Sequence, residues 1–278
     1  MSLPHSPWTE AGGDFAIGLR PIPASSWLEG GEADPAQRKD PLIAAHRDIV
    51  WGETEGSRPG QAEALALIDQ VRGPVSGEAG LPPLMAAARR VPDDLCLMEA
   101  RDGVWRLSAL CLCAPSFFTA RDALGLSLAE LHAPVDGFAP RFGGRLERIF
   151  QGLRPGLILE RRNWTVLNAE ALFTPDSAPI RAQISQIDPK DAGQALYVRV
   201  ERQTLRRLPE TGGALFTIRI WRAPLETVAE DPDRLAAFAR AWGEATPEFR
   251  KYKGFALYDT LVTTFLRARE ESYSVNEV

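Results

Sequence analysis

Histidine and cysteine are scarce in this chain, and their scarcity excludes several kinds of chemistry. A three-histidine metal centre would need all three histidines, His5, His46 and His132, and is not expected. Three cysteines, Cys96, Cys111 and Cys113, exclude a disulfide framework and fit a reducing compartment. They also fall short of the thiolates that hold an iron–sulfur cluster. No apolar run is long enough to span a bilayer, and the start Met1-Ser2-Leu3-Pro4-His5 has no signal-peptide pattern. A cytoplasmic protein without a membrane partner is therefore expected. The net charge of −5, from 32 basic and 37 acidic residues, argues against a nucleic-acid partner, which would call for a basic face.

Common fingerprints are missing as well. Neither G-x-G-x-x-G nor G-x-x-x-x-G-K-[ST] occurs, so no standard loop for a dinucleotide or nucleoside triphosphate is present. G-x-S-x-G, H-E-x-x-H and C-x-x-C are absent, which weakens hydrolase, zinc-protease and thiol-redox readings. Without C-x-x-C-H, covalent attachment of haem is not expected.

The rest is read from periodicity. Residues 1–40, rich in Pro, Gly and Trp, form an extended arm anchored by Trp8, Phe15, Ile17 and Trp27. The pattern predicts a helix from about Arg58 to Arg72 with Leu65, Ile68 and Val71 inward, followed by a loop containing Pro82-Pro83. Residues 95–99 and 104–109 read as a hairpin around Arg101-Asp102-Gly103, and Cys111 and Cys113 as packed strand residues. Ser127-Leu128-Ala129-Glu130 is a capping box for one helical turn, with His132 at its exit and Pro134 stopping it. Pro140 opens an amphipathic helix carrying Phe142, Leu146, Ile149, Phe150 and Leu153. Strands are predicted over 157–167, 195–205 and 214–221. Helices follow from Pro232, with Leu235, Phe238, Ala239 and Trp242 inward, and over 247–268 with a break at Gly254. We read one domain over 1–278, its residues 225–278 a helical C-terminal part. Without βαβ alternation, this order favours an α+β fold with an antiparallel sheet.

Two features carry chemistry. His132 sits on a stiff segment ahead of Pro134, and a neutral imidazole there suits a redox metal or haem iron; a capped or surface side chain is the plainer alternative. The other feature is a pair of arginine-rich blocks, Glu160–Trp164 and Arg199–Pro209. In an extended strand Glu201 and Gln203 share one face, while Val200, Arg202 and Thr204 share the other. Polar groups on both faces of an interior strand are costly unless partnered. Arginines there suit bidentate pairing with carboxylates, a ligand's included; a structural ion-pair network or a solvated edge strand is the alternative.

These residues also carry a resemblance. Leu131-His132-Ala133-Pro134-Val135, Arg162-Asn163-Trp164, Leu172-Phe173, the block Arg199–Pro209 and Phe216-Thr217-Ile218-Arg219 resemble the haem-dependent oxidative N-demethylase alpha-subunit family. The likeness extends to Gly18–Ile22, Cys111–Ser116 and Tyr252-Lys253-Gly254. It departs at Asp136, where the family has a second proline, and at Arg121-Asp122, where it has an acidic–lysine pair.

The resemblance implies a PAS-like antiparallel sheet with flanking helices around non-covalent haem b. It also implies oxygen-dependent demethylation of a small secondary amine such as dimethylamine. NADPH, FMN and a 2Fe-2S cluster are expected only on separate reductase components. His132 is the expected axial metal ligand. Arg162, Arg202 and Arg206 are the cofactor-binding residues expected at the propionates, and Glu201 is the expected catalytic residue, polarising a bound amine. A non-catalytic PAS-like haem or gas-sensing module and a haem-free structural or interaction protein are the rival readings.

Overall fold

In the computed structural model, which describes residues 3–10, 16–74, 78–135 and 139–276, seven strands lie in one sheet. They are β1 (Arg20–Ile22), β2 (Trp51–Glu53), β3 (Asp94–Arg101), β4 (Val104–Cys111), β5 (Ile158–Leu167), β6 (Tyr197–Arg207) and β7 (Ala214–Pro224). Their spatial order is β1-β5-β6-β7-β3-β4-β2. The sheet is antiparallel and helices make up much of the remainder, so the fold is α+β as expected. Phe15 and Asp136 fall outside the described residues.

The predicted hairpin forms. Arg101 pairs with Val104, and Asp102 (φ 52°) and Gly103 (φ 77°) supply the left-handed pair that a tight two-residue turn requires. The β6–β7 hairpin is longer than its pattern indicated. Ala195 belongs to a short helix, Ala192–Ala195, and pairing runs on to Arg207, where the Leu208 amide donates to the Gly213 carbonyl at 2.8 Å. Glu63 closes this loop by accepting from the Glu210 and Thr211 amides and the Thr211 hydroxyl.

Helix Arg58–Arg72 has the predicted ends but a different inner stripe. Gln61, Ala64, Leu67 and Ile68 are buried, Leu65 is half-buried, and Val71 is 47% exposed. Gln61 is admitted because its amide is satisfied by Glu53, Ser57 and the Leu84 amide. Among the helices longer than one turn, Pro35–Ala45, capped by Asp34, and Pro83–Arg90, which replaces the expected loop, were not predicted. In both, a proline that reads as a breaker occupies the first helical position. Lys39 is fully buried, its Nζ donating to the Ala88 (2.9 Å) and Asp93 (2.5 Å) carbonyls. A cation on the inner face hides the apolar stripe that a sequence reading relies on. Where one helix was expected from Pro140, a π-helical turn, Ala139–Gly143, precedes helix Gly144–Gly152.

The chain divides into two units, with boundaries inside β5, β6 and β7. One comprises Met1–Ala16, Arg162–Glu201 and Trp221–Val278. Its core is aromatic: Trp164 lies 5.7 Å from Trp8, 5.4 Å from Phe238 and 5.2 Å from Phe255, and Trp242 stacks on Phe255 at 4.0 Å. Helix Pro232–Gly243 faces this core with Leu235, Phe238, Ala241 and Trp242, Ala241 taking the inner place expected of Ala239. Gly254 (φ 65°) ends helix Pro247–Lys253 before helix Asp259–Asn276, the break its sequence predicts.

The other unit comprises Ile17–Arg161 and Arg202–Ile220. Its apolar cluster joins Cys96, Met98, Leu107, Leu205 and Ala214 of the strands to Leu128, Leu146, Phe150 and Leu153.

Two substitutions check this packing. Trp164→Ala is expected to destabilise the protein by about 3–5 kcal/mol, the cost of emptying a buried aromatic site. Val71→Ala should change stability by less than about 0.5 kcal/mol, as for an exposed side chain. Denaturant midpoints measure both.

Candidate functional site

The chain that follows β4 folds back along it. The Leu107 amide donates to the Leu126 carbonyl at 2.9 Å, and the Gly125 amide donates to the Leu107 carbonyl at 2.8 Å. Ser127 and Glu130 form the predicted capping box on the single turn Leu128–Leu131, and His132 is its C-cap. Pro134 is exposed and Val135 buried.

His132 is held by its own turn. Its Nδ1 lies 2.8 Å from the Leu128 carbonyl oxygen. A carbonyl only accepts, so Nδ1 carries the proton and the lone pair belongs to Nε2. Burial pushes the imidazole below its ordinary pKa; the Leu128 bond opposes this and the charge of Arg161 adds to it. The ring is thus neutral at neutral pH, the form that ligates a metal.

The turn that His132 ends carries Leu128 and Leu131 into a partly open apolar cluster. On one face of the strands in this unit, Leu159, Leu205, Phe216 and Ile218 belong with Leu128, Leu131, Ile149 and Phe150 in one cluster. Five of them, Leu131, Ile149, Leu159, Phe216 and Ile218, are only partly buried. Strand alternation places Arg161, two residues from Leu159, and Gln203, two from Leu205, on this same face.

The opposite face is ionic and closed by the arm. Arg202, Thr204 and Arg206, alternate residues of β6, all engage Trp27. The Arg202 Nη1 donates to the Trp27 carbonyl at 2.8 Å, and the Trp27 indole donates to the Thr204 hydroxyl at 3.2 Å. The Arg206 guanidinium lies 4.3 Å from the Trp27 ring centroid. Arg202, 1% exposed, also donates to Glu160 (2.5 Å) and to the Ser26 carbonyl (2.5 Å), with Glu29 at 3.2 Å. Thr204 meets Thr217 on β7 at 2.8 Å. Nearby, burial raises the pKa of the fully buried Asp93, against the charges of Arg219, Lys39 and Arg202.

Arg202 and Arg206 are therefore brought together, but around Trp27. Arg162 and Glu201 belong to the other unit, where Arg162 pairs with Glu10 at 3.0 Å. Glu201 accepts from the Asn163 amide at 3.3 Å, and the Asn163 Oδ1 accepts from the Lys253 Nζ at 2.6 Å. Arg121 pairs with exposed Asp48, and Asp122 accepts from the Thr119 hydroxyl. Cys111 and Cys113 are buried as expected of packed residues, though Cys113 lies just past the end of β4, and Cys96 is buried too.

Arg161, Asn163 and Lys253 lie in blocks that the sequence reading singled out, but it gave none of them a role. The alternation that starts at Leu159 separates Arg161 and Asn163 from Glu160 and Arg162, a signal already present in β5. Nothing in the sequence brings Lys253 to Asn163.

The buried ionic face makes a direct prediction. Arg202→Met should destabilise the protein by about 3–5 kcal/mol, because it leaves Glu160 buried without its main cation. Adding Glu160→Gln should recover part of that loss in the same denaturation measurement.

Among the described residues no helix is long and apolar enough to cross a membrane. Nor does any group of three or more His, Cys, Asp and Glu side chains there stand ready to hold a metal ion. A family profile described as haem-dependent oxidative N-demethylase, alpha subunit-like, matches residues 59–263. That span is well over half of the chain and contains His132, Arg161, Glu201 and Lys253. The chain belongs to the haem-dependent oxidative N-demethylase alpha subunit-like family.

Proposed function

We propose that this protein is a cytoplasmic enzyme that holds haem b through the His132 Nε2 and demethylates a small secondary amine of the dimethylamine class. Its electrons would come from separate components carrying NADPH-dependent flavin and 2Fe-2S centres. The observation that carries the reading is the hydrogen bond from His132 Nδ1 to the Leu128 carbonyl. It fixes the tautomer and orients the ring as the outer-shell partner of a ligating histidine does.

The donor set and surroundings fit haem. One neutral imidazole supplies the axial nitrogen, and the half-buried Leu131, Ile149, Leu159, Phe216 and Ile218 offer apolar surface to a macrocycle. Haem, when bound, supplies the oxygen chemistry; the protein supplies ligand, polarity and water exclusion. In the other unit, Lys253 directs its ammonium at the Asn163 Oδ1, which turns the amide nitrogen towards Glu201. A carboxylate held this way suits a small amine, which is protonated in water and binds through charge-assisted hydrogen bonds. The propionate roles expected of Arg202 and Arg162 would require exchanging Glu160, Trp27 and Ser26, or Glu10, for a ligand's carboxylate.

Reconstitution tests the reading. Purified protein given haem should develop a Soret band that His132→Ala abolishes, and with a reductase and NADPH it should release formaldehyde from dimethylamine. A band without turnover across small methylamines would contradict the enzyme assignment. Glu201→Gln should leave the band in place and lower kcat/KM for the amine by roughly 10- to 100-fold, the worth of a hydrogen bond to a charged group.

The pH dependence has a definite sign. A depressed imidazole pKa means that this group's contribution to stability is present above about pH 6.5, the unfolded value, and is lost as pH falls towards the folded value. Haem affinity should accordingly stay level from neutral pH down to about 6.5 and weaken only below it, as a spectrophotometric titration would show.

A further inference from the structure

We propose that Arg161 is the cation that anchors a propionate of the bound haem. The inference rests on the haem reading above and adds a cofactor-binding residue to it.

Strand alternation separates three consecutive charged residues of β5. Glu160 faces the arm, where it meets Arg20 (3.3 Å) and Arg202 (2.5 Å). Arg161 points the other way, to the face of its neighbour Leu159, which packs in the cluster that contains Leu128 and Leu131. His132 follows directly on that turn, and Arg161 is close enough for its charge to act on the ring. A partly open apolar cluster, with a histidine following one of its helical turns and an arginine on the same strand face, matches an amphipathic ligand. Haem is such a ligand: a flat apolar ring, an iron seeking nitrogen, and an edge bearing carboxylates that need cationic partners when withdrawn from water.

Four other arginines of this unit have partners or faces of their own. Arg106 donates to the Gly125 carbonyl and to Glu130, and Arg207 lies 5.1 Å from the Trp105 ring centroid. Arg202 and Arg206 are on the far face with Trp27. Arg161 shares the strand face of the apolar cluster, and its charge acts on His132.

The test uses haem b and its dimethyl ester, which keeps ring and iron but carries no carboxylates. Arg161→Gln should weaken haem binding by roughly 10- to 100-fold, the scale of a lost charge-assisted hydrogen bond, and leave ester binding unchanged. Arg161→Lys should recover part of the loss. Equal weakening for haem and ester, or no weakening for haem, would overturn the proposal. Should Arg161→Gln not fold, the unsubstituted protein decides: a clear preference for haem over ester supports a cationic anchor, and equal affinity refutes it. Loss of the Soret band in His132→Ala, together with an Arg161→Gln variant that binds haem normally, would leave the ligand assignment standing and remove only this one. A wild-type protein that binds neither porphyrin removes both.

Discussion

An interior strand must satisfy whatever it carries on both of its faces, and β6 carries charge on both. Arg202 is almost wholly withdrawn from water, which is tolerable only because Glu160, Glu29 and two arm carbonyls receive it. Trp27 and Leu28 thereby become part of the interior: Trp27 is fully buried under three alternate residues of one strand. Lys39 extends the same logic to helix Pro35–Ala45, tying it to the Ala88 and Asp93 carbonyls. What looks from composition like a loose, proline-rich leader is held by specific polar contacts, and removing any cation from them strands a buried acceptor.

With its ionic groups committed on that side, the sheet in this unit offers a mainly apolar face on the other. Leu159, Phe216 and Ile218 of the interior strands β5 and β7 are only partly covered there. The capping box starts a single helical turn whose exit is His132, and the Leu128 carbonyl settles which nitrogen is basic. Local sequence, a serine and a glutamate three residues apart, thus sets the position of the imidazole, while burial and Arg161 set its charge state.

Much of this was legible beforehand. The capping box, the Asp102-Gly103 turn, the Gly254 break and the mixed polarity of β6 follow from short-range rules that tertiary packing did not override. The helices missed in the sequence share one cause, which is that a polar or proline residue sat where an apolar one was expected. Lys39 and Gln61 occupy inner positions of helices because distant carbonyls and side chains satisfy them, and no local pattern announces those partners. The arginines were recognised as a group, yet which of them share a face with the histidine depended on strand phase. Counting from Leu159 resolves that phase for Arg161; the partnership of Lys253 with Asn163 spans 90 residues of chain and needed the fold.

The central claim is that His132 binds iron through Nε2 while Nδ1 remains hydrogen-bonded within its own turn. Resonance Raman spectroscopy of the ferrous holoprotein addresses it directly, using protein grown with ¹⁵N-labelled histidine. The account predicts an iron–imidazole stretching band that shifts with the label and survives replacement of His5 and His46 by glutamine. A spectrum without that band, or one in which it persists after His132→Gly, would contradict it.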